Sequence, residues 1–552
     1  MTELLTRAEA SNYKETSRHS DVLSFVDELC RRTKLARRVD FGKSGEGQPL
    51  VSLILSDRGC FTPELARKQK KLVVMVEANI HAGEVEGKEA LLALARDLTL
   101  TKLGHKLLDR LCLVLVPNFN PDGNDRISPN NRQLDLKNLE GQVNPEGGVG
   151  MRYTGEGWNL NRDNMKQEAI ETRCLAKLYQ EWWPQLFIDC HTTDGSLHAF
   201  DLTFDTSHSN EPLFAELRAF NRDYLERVAK AVKTRHGFDS FWYGNYKVEE
   251  DPRSGWHTYP ALPRFGSHYR GLLGRLDVLL ETYSYIDFPR RCAVMRAWLL
   301  ELFRDAAKNA KACRAITDAE EARIIARGGA EGVPDWVGIN YGVAQRDPEG
   351  ALRFDYPAYA KSGDEAQLLS FDEASIRERR YPGKRRKSYR VAHHRTFVPT
   401  QMVTTPTAYL VPAQMSQLLQ NHGIRFEPLP AARRFTVDSY RVTRSEQTFS
   451  PDVAANVPPP GESEVPLSQK PKPVRFETVL TVAPERSTRE FPEGTLYVPT
   501  GQRTGTLLVY LLEPHSDDGF SRWQFIDVFT QVGELHPVHR VVQAQEAPKK
   551  AE

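Results

Sequence analysis

The sequence has few of the features that would direct a protein to a membrane or to a polyanion. It contains 74 lysines and arginines against 73 aspartates and glutamates, so its formal net charge is only +1. No global field therefore draws the chain to nucleic acid or to an anionic surface. No apolar run is long enough to cross a bilayer, and the first 20 residues lack the apolar core of a secretory signal. The default expectation is a cytoplasmic protein, and an exported mature form remains open.

Cysteine is also scarce. Seven cysteines are scattered over the first 313 residues of a 552-residue chain, an odd number without CxxC spacing. This pattern does not suggest a disulfide framework. It predicts reduced thiols, several of which are small core residues.

Residues 18–315 have the pattern of an α/β domain. Near-continuous apolar runs predict buried strands at 72–76, 111–116, 186–188 and 276–280. Helical spacing of apolar residues occurs at Val22, Phe25, Val26 and Leu29, at Ile170, Cys174, Leu178 and Trp182, and at Val294, Trp298 and Leu302. Ser20 is a possible N-cap of the first helix, and Pro184 terminates the second. The predicted fold class is α/β, with a mixed, mostly parallel twisted sheet covered by helices.

Beyond residue 330 the pattern becomes β-rich. The segments "RFETVLTVA" (475–483) and "GTLLVYLLEP" (505–514) predict strands, whereas "AQMSQLLQNHG" (413–423) predicts a helix that ends at the C-cap glycine Gly423. The proline-rich segment 455–474 is expected to be an exposed connection. We expect a β-rich accessory region over 330–545, of one or two domains. With a typical domain length of roughly 150 residues, a chain of this size is expected to contain two to four domains.

Polar residues of the kinds used in catalysis follow three of the predicted strands. His81 and Glu84 follow the first strand, His191 follows the third and Glu281 follows the fourth. In open α/β sheets the loops at the carboxyl ends of neighbouring strands converge, so these distant residues can share one pocket. Two histidines and one glutamate form a known ligand set of catalytic zinc. Each residue alone is more often a polar strand end, but their joint occurrence favours a metal site.

Five segments carry a resemblance to a known family. In chain order they are "NIHAGEVEGKEA", "VPNFNPDGND", "GWNLNRD", "FIDCHTTDGS" and "LLETYSY", and they span residues 79 to 285. The sequence resembles the zinc carboxypeptidase family, the M14 metallopeptidases, as a carboxypeptidase A-like, bacterial-type member with a C-terminal β-rich extension. The resemblance implies a zinc metallocarboxypeptidase that hydrolyses the C-terminal peptide bond of peptides. It also implies one Zn²⁺ per chain, held by His81, Glu84 and His191.

The resemblance implies further roles. Glu281 matches the general base. Asn161 and Arg162 match the pair that binds the terminal carboxylate of the substrate, a task that suits the planar fork of a guanidinium. The turn Asn120-Pro121-Asp122-Gly123 is expected to shape the pocket wall.

Two assignments remain open within the resemblance. The arginine that stabilises the oxyanion is assigned to Arg152, with Arg126 and Arg132 as rivals. The tyrosine on the loop before the base is assigned to Tyr269, with Tyr259 equally compatible with the spacing. The pocket that selects the C-terminal side chain falls in this same loop, so no substrate preference is predicted.

The expected partner is a peptide with a free C-terminal carboxylate, with no nucleic acid and no membrane. The basic run 377–390 could bind phosphate, but the acidic residues just before it offset its charge. Three alternative functions stay open. They are a zinc-dependent deacylase or amidohydrolase of N-acyl amino acids or cell-wall peptides, a non-catalytic binding protein, and a nucleic-acid binder.

Overall fold

A computed structural model describes residues 3–209, 213–248, 251–328, 336–346, 352–355, 366–371, 387–449, 476–526 and 531–544. The proline-rich segment 455–474 and most of the basic run 377–390 lie outside the described residues. Within the described part of the chain, no helix is both long enough and apolar enough to cross a membrane. All seven cysteines are free thiols, and the buried ones are Cys60, Cys112, Cys190, Cys292 and Cys313.

Ten strands belong to the first half of the chain. They are β1 Ala36–Lys43, β2 Pro49–Leu55, β3 Leu72–Ala78, β4 Leu111–Val116, β5 Leu186–Thr193, β6 Leu202–Asp205, β7 Ser240–Trp242, β8 Asn245–Val248, β9 Asp251–His257 and β10 Leu276–Tyr283. Eight of them form one sheet in the order β1-β2-β4-β3-β5-β10-β6-β7. The neighbours from β4 through β3 and β5 to β10 are parallel, as are β6 and β7, and the other pairs are antiparallel. The predicted mixed, mostly parallel sheet is confirmed.

Helices cover both faces of this sheet. They are α1 Arg7–Ala10, α2 His19–Arg32, α3 Pro63–Lys68, α4 Glu86–Leu100, α5 His105–Leu108, α6 Pro121–Asp125, α7 Ile170–Trp182, α8 Ala215–His236, α9 Gly266–Gly271, α10 Phe288–Lys308 and α11 Ala310–Arg327. Alternate residues of each strand face opposite sides. Accordingly, Val74 and Val76 of β3 pack in the cluster that contains α2, α4, α8 and α10, whereas Val73 and Met75 pack in the cluster that contains α7.

The four apolar runs predicted as strands lie within β3, β4, β5 and β10, so those predictions are confirmed. The helix predicted to end at Pro184 is also confirmed, because α7 ends at Trp182. The next residue, Trp183, has a left-handed backbone (φ 45°).

The prediction of Ser20 as an N-cap is wrong, because α2 begins one residue earlier, at His19. Two aspartates accept hydrogen bonds from the first backbone groups. Asp21 accepts from the N–H of Arg18 at 2.9 Å, and Asp125 accepts from the N–H of His19 at 2.7 Å. These carboxylates replace the serine hydroxyl as the cap.

The second half of the chain is rich in strands, as predicted. The strands are Trp336–Arg346, Leu352–Asp355, Ala366–Phe371, Lys387–His394, Phe397–Thr404, Ala408–Val411, Glu427–Pro428, Arg433–Phe449, Phe476–Phe491, Leu496–Pro499 and His539–Ala544. The predicted helix is found at Ser416–Asn421, and Gly423 follows it with φ of +66°. One sheet joins the two halves, because Lys387–His394 pairs with β9.

The segment "GTLLVYLLEP" was predicted as a strand, and this is wrong, since residues Gly505–Leu512 form a helix. All eight residues of the helix are buried. A short apolar run that is buried all round has no period-2 or period-3.6 signature, so the sequence pattern alone does not separate the two structures.

The two halves share one hydrophobic core. The cluster on the α7 face of the sheet contains Phe119 and Trp182 from the first half together with Tyr409, Leu508 and Trp523 from the second. The domains 18–315 and 330–545 remain a prediction from sequence, and tightly packed contacts cross their boundary.

Candidate active site

The candidate metal ligands lie at the carboxyl edge of the sheet. His81 and Glu84 occupy the tight turn between β3 and α4, in which the N–H of Glu84 donates to the carbonyl of His81 at 2.9 Å. His191 lies in β5, the parallel neighbour of β3. The sequence prediction that these strand ends meet is confirmed by the geometry described next.

His81, Glu84 and His191 form the one cluster of potential metal ligands found among the described residues. One ligand atom from each residue lies within 4.8 Å of the others, and all three residues are buried. Nδ1 of His81 is 3.0 Å from Oε1 of Glu84, and Nδ1 of His191 is 2.9 Å from Oε2. The two imidazole rings are 5.0 Å apart.

Each histidine has a polar partner on the ring nitrogen that faces away from the cluster. Oδ1 of Asn159 lies 3.2 Å from Nε2 of His81, and Oδ1 of Asp189 lies 3.1 Å from Nε2 of His191. Such partners fix the ring orientation and leave the other nitrogen for a metal ion. In both rings this other nitrogen is Nδ1.

The electrostatics of the cluster suit a cation. Burial, and next the charge of Arg152, lowers the pKa of His81 to about 3, so this imidazole is neutral as a metal ligand must be. Burial alone would lower the pKa of His191, but the carboxylates of Asp189 and Glu84 hold it well above its ordinary value. The same concentrated negative charge favours a bound divalent ion. The three residues therefore fit the Zn²⁺ that the resemblance implies.

Glu281 lies beside this cluster because of strand register. Strands β5 and β10 are parallel neighbours, and Glu281 pairs directly with His191. Only 9% of Glu281 is exposed. Burial raises the pKa of its carboxyl group to about 8, although the nearby His191 opposes the shift. A carboxylate with a pKa near neutrality is suited to proton transfer.

These residues line a cavity of about 340 Å³. The walls carry His81, Glu84, His191 and Glu281, together with the predicted oxyanion arginine Arg152 and the predicted substrate-binding residues Asn161 and Arg162. Seven of the eight residues of the predicted site thus meet in one cavity, and Tyr269 is the exception.

Asn161 and Arg162 enter the cavity from a 3-10 turn at Leu160–Arg162. The Arg162 guanidinium lies over the ring of Phe265, 4.4 Å from its centroid, and donates to the carbonyl of Asn161 at 2.9 Å. Phe265 also lines the cavity. Stacking on an aromatic ring restricts where a guanidinium can point, so Phe265 limits the orientations open to Arg162.

The three candidate oxyanion arginines have different environments. Arg152 lines the cavity, and its Nη1 is 3.5 Å from Oε1 of Glu84. Arg132 is closer to the same oxygen, at 3.0 Å, but is not among the residues that line the cavity. Arg126 lies elsewhere, in an ion pair with Glu46. The geometry favours Arg152, as assigned from sequence.

Tyr269 does not lie in the cavity. Its hydroxyl group is 2.7 Å from Nδ1 of His422, a residue of the second half, and the tyrosine is buried in the shared core. The reason is local, because helix α9 turns Tyr269 to the side of the sheet where α7 packs. The alternative, Tyr259, does line the cavity, as does Tyr243.

The Asn120-Pro121-Asp122-Gly123 turn supports the cavity from outside. It forms the start of α6, in which the side chain of Asn120 accepts from the N–H of Gly123 at 3.0 Å. The amide of Asn120 also donates to the carbonyls of Ile80 and Arg152, at 3.3 and 3.4 Å. The turn therefore ties the chain next to His81 to the chain that carries Arg152, which agrees with the structural role expected from sequence.

Replacement of Gly123 by alanine is expected to destabilise the protein. A Cβ atom there would lie 2.3 Å from the carbonyl oxygen of Tyr153 and 2.6 Å from that of Met151. Because backbone must move to relieve these contacts, we expect a loss of about 2 kcal/mol in the free energy of unfolding, measured by urea denaturation. The matched control is Gly501→Ala, where the nearest contact would be an ordinary 3.4 Å. Equal stability of the two variants would contradict the close packing at the turn.

Several residues of the cavity were not predicted from sequence. They are Asp189, Thr192, Thr193, Asp194, Tyr243, Pro260, Phe265, Gly266, Ser267 and Leu279. A signal was present for Asp189, because it lies two residues before His191 on the same strand, so both side chains face the same side. Pro260, Phe265, Gly266 and Ser267 have no such pattern, since they lie on an irregular segment and on the start of the short helix α9 that follows it.

The arrangement of a buried His-Glu-His cluster at the carboxyl edge of a mixed α/β sheet is that of a metal-dependent hydrolase. The sequence model of the zinc carboxypeptidase family matches residues 22–345, which are more than half of the chain. The chain belongs to this family of zinc-dependent peptide-bond hydrolases.

Curated relatives agree with the family. The chain is 22% identical to Carboxypeptidase 2 of Trichophyton tonsurans over 530 residues, which cover 91% of this chain and 82% of that protein. It is also 22% identical to Carboxypeptidase 2 of Trichophyton rubrum, over 90% of this chain and 81% of the relative. Among solved structures, a metallo-carboxypeptidase from Burkholderia cenocepacia matches at 19% identity with a TM-score of 0.38, over 53% of this chain and 70% of that one.

Proposed function

We propose that the protein is a zinc metallocarboxypeptidase that removes single residues from the C-terminus of peptides. The observation that carries this proposal is the parallel register of β5 and β10, which sets Glu281 directly beside the ligand His191. A non-catalytic relative would have no need of a buried carboxylate at that position. His81, Glu84 and His191 would hold the ion.

A bound zinc ion supplies acidity, because it lowers the pKa of water to roughly 7, and it polarises the scissile carbonyl. Glu281 takes the proton from the attacking water and passes it to the departing amine. Arg152 donates to the oxygen on which negative charge develops. Asn161 and Arg162 bind the terminal carboxylate, which determines which peptide bond is presented.

Mass spectrometry of a defined peptide mixture tests the proposal. We expect successive loss of single C-terminal residues, and much slower cleavage of the same peptides with amidated C-termini. A chelator should stop the reaction, and added Zn²⁺ should restore it, because the ligands hold an exchangeable ion.

Other products would identify the alternatives. Internal cuts would indicate an endopeptidase, and release of acyl groups from N-acyl amino acids would indicate a deacylase. Absence of any turnover by a protein that binds one zinc per chain would contradict the proposed enzyme and favour a binding protein.

A further inference from the structure

Two segments that form part of the cavity wall also contact the second half of the chain. The first segment, 258–267, carries the cavity residues Tyr259 and Phe265. The second, 161–167, begins with the cavity residues Asn161 and Arg162. Both lie in the first half, yet the contacts that hold them come partly from residues more than 200 positions later.

Arg264 connects the first segment to the second half. Its backbone N–H donates to Oδ2 of Asp518 at 2.6 Å, and its Nε donates to Oδ1 of the same carboxylate at 2.9 Å. Its Nη1 donates to Oε1 of Glu477 at 3.0 Å. Arg264 is 5% exposed and Asp518 is fully buried. Removing one partner would leave a buried charge uncompensated, so these contacts define the position of the segment strongly.

Trp523 contacts both Arg264 of the first segment and Lys166 of the second segment. The Arg264 guanidinium lies 4.6 Å from the centroid of the indole ring, and Nζ of Lys166 lies 4.2 Å from it. The indole N–H donates to Oδ1 of Asp518 at 2.8 Å. The two segments also contact each other, because the side chain of Asn164 donates to the carbonyl of Arg264 at 3.3 Å.

The contacts of Arg264 also affect Arg162, the arginine proposed to bind the substrate carboxylate. Phe265 follows Arg264 directly, and its ring supports the Arg162 guanidinium at 4.4 Å. A displacement of Arg264 would therefore move the surface on which Arg162 is stacked. Displacements of about 1 Å in substrate-positioning groups can cost two orders of magnitude in rate.

We propose that Asp518 and Glu477 are positioning residues for binding of the substrate carboxylate. Through Arg264 they hold Phe265 against Arg162, so the second half of the chain forms part of the substrate-binding machinery. Neither carboxylate lines the cavity, so both act through Arg264, and Asp518 also acts through Trp523. This inference rests on the proposed carboxypeptidase function and assigns part of that function to the region beyond residue 330.

Asp518→Asn tests the inference, because it keeps the shape of the side chain and removes its charge. We expect KM for a peptide with a free C-terminus to rise on the order of tenfold while kcat changes by less than about twofold. The inhibition constant of the free product amino acid should rise by the same factor. Zinc content should stay at one per chain. The matched control is Asp438→Asn, which removes an exposed ion pair with Arg486 in the same half and should leave KM unchanged.

A merely structural role predicts a different result. It would reduce the fraction of folded enzyme, which lowers kcat per mole of protein and leaves KM and the inhibition constant unchanged, and this outcome would overturn the inference. Arg264→Lys keeps the charge but loses the forked geometry, so it should give a smaller rise in KM. This variant decides the question if Asp518→Asn does not fold, and a wild-type KM in Arg264→Lys would then overturn the inference.

The two proposals fail separately. If the wild-type protein releases no C-terminal residues, the proposed function is wrong. If it does release them and the variants at Asp518 and Arg264 keep the wild-type KM, only the positioning role is wrong.

Discussion

Glu281→Gln is expected to lower kcat by on the order of 10³-fold while leaving one zinc ion bound per chain. Glutamine has the same shape as glutamate but does not accept a proton from water at neutral pH. Glu281 pairs in register with His191 but is not one of the three clustered ligands, so loss of its charge should leave the ion in place. Steady-state kinetics with zinc analysis on the same preparation gives both quantities.

The control for this variant is Glu216→Gln. Glu216 lies on the surface of α8 in an exposed ion pair with Arg323 and is not among the residues that line the cavity. It should behave as wild type in both measurements. If Glu281→Gln kept near wild-type turnover, a different residue would have to be the base. If it lost zinc as well as activity, Glu281 would be a ligand and not the base.

Arg162→Met is expected to lower kcat/KM for peptides with a free C-terminus by about 10² to 10³-fold. The guanidinium is the cationic group of the pair predicted to bind the terminal carboxylate, and methionine retains much of its length without charge or donors. Arg162→Lys should restore only part of the loss, because an ammonium group lacks the planar fork. The comparison is made by progress curves on one peptide series.

Two controls separate this effect from a general loss of activity. Any residual cleavage of amidated peptides should be the same in Arg162→Met and in wild type, because that substrate has no carboxylate to lose. Arg227→Met removes an exposed ion pair with Asp305 and should have no effect. An equal loss on both kinds of peptide would show that Arg162 does not recognise the chain end.

The meeting of the three candidate metal ligands was predictable because it depends on a general rule of parallel sheets. Parallel strands place their carboxyl ends at one edge of the sheet, so residues near the carboxyl ends of β3 and β5 come together whatever their separation in sequence. The apolar runs of these strands are near-continuous and easily recognised. The resemblance then supplied the roles of Asn161, Arg162 and Glu281.

The parts that were missed depend on irregular segments and on contacts between the halves. Tyr259 lies on the irregular segment before α9 and lines the cavity, whereas Tyr269 lies within α9 and contacts His422. The pair of Arg264 with Asp518 spans 254 residues. Charge complementarity of this kind leaves no periodic signal in a single sequence. The helix Gly505–Leu512 was missed because a segment buried on every side has no distinguishing period.

Anomalous diffraction at the zinc absorption edge, from crystals of the protein supplied with one equivalent of zinc, tests the central claim most directly. The account predicts one strong peak per chain, bound by Nδ1 of His81, Nδ1 of His191 and the carboxylate of Glu84, with Glu281 next to it. A peak at another site, or no peak between these three residues, would contradict it.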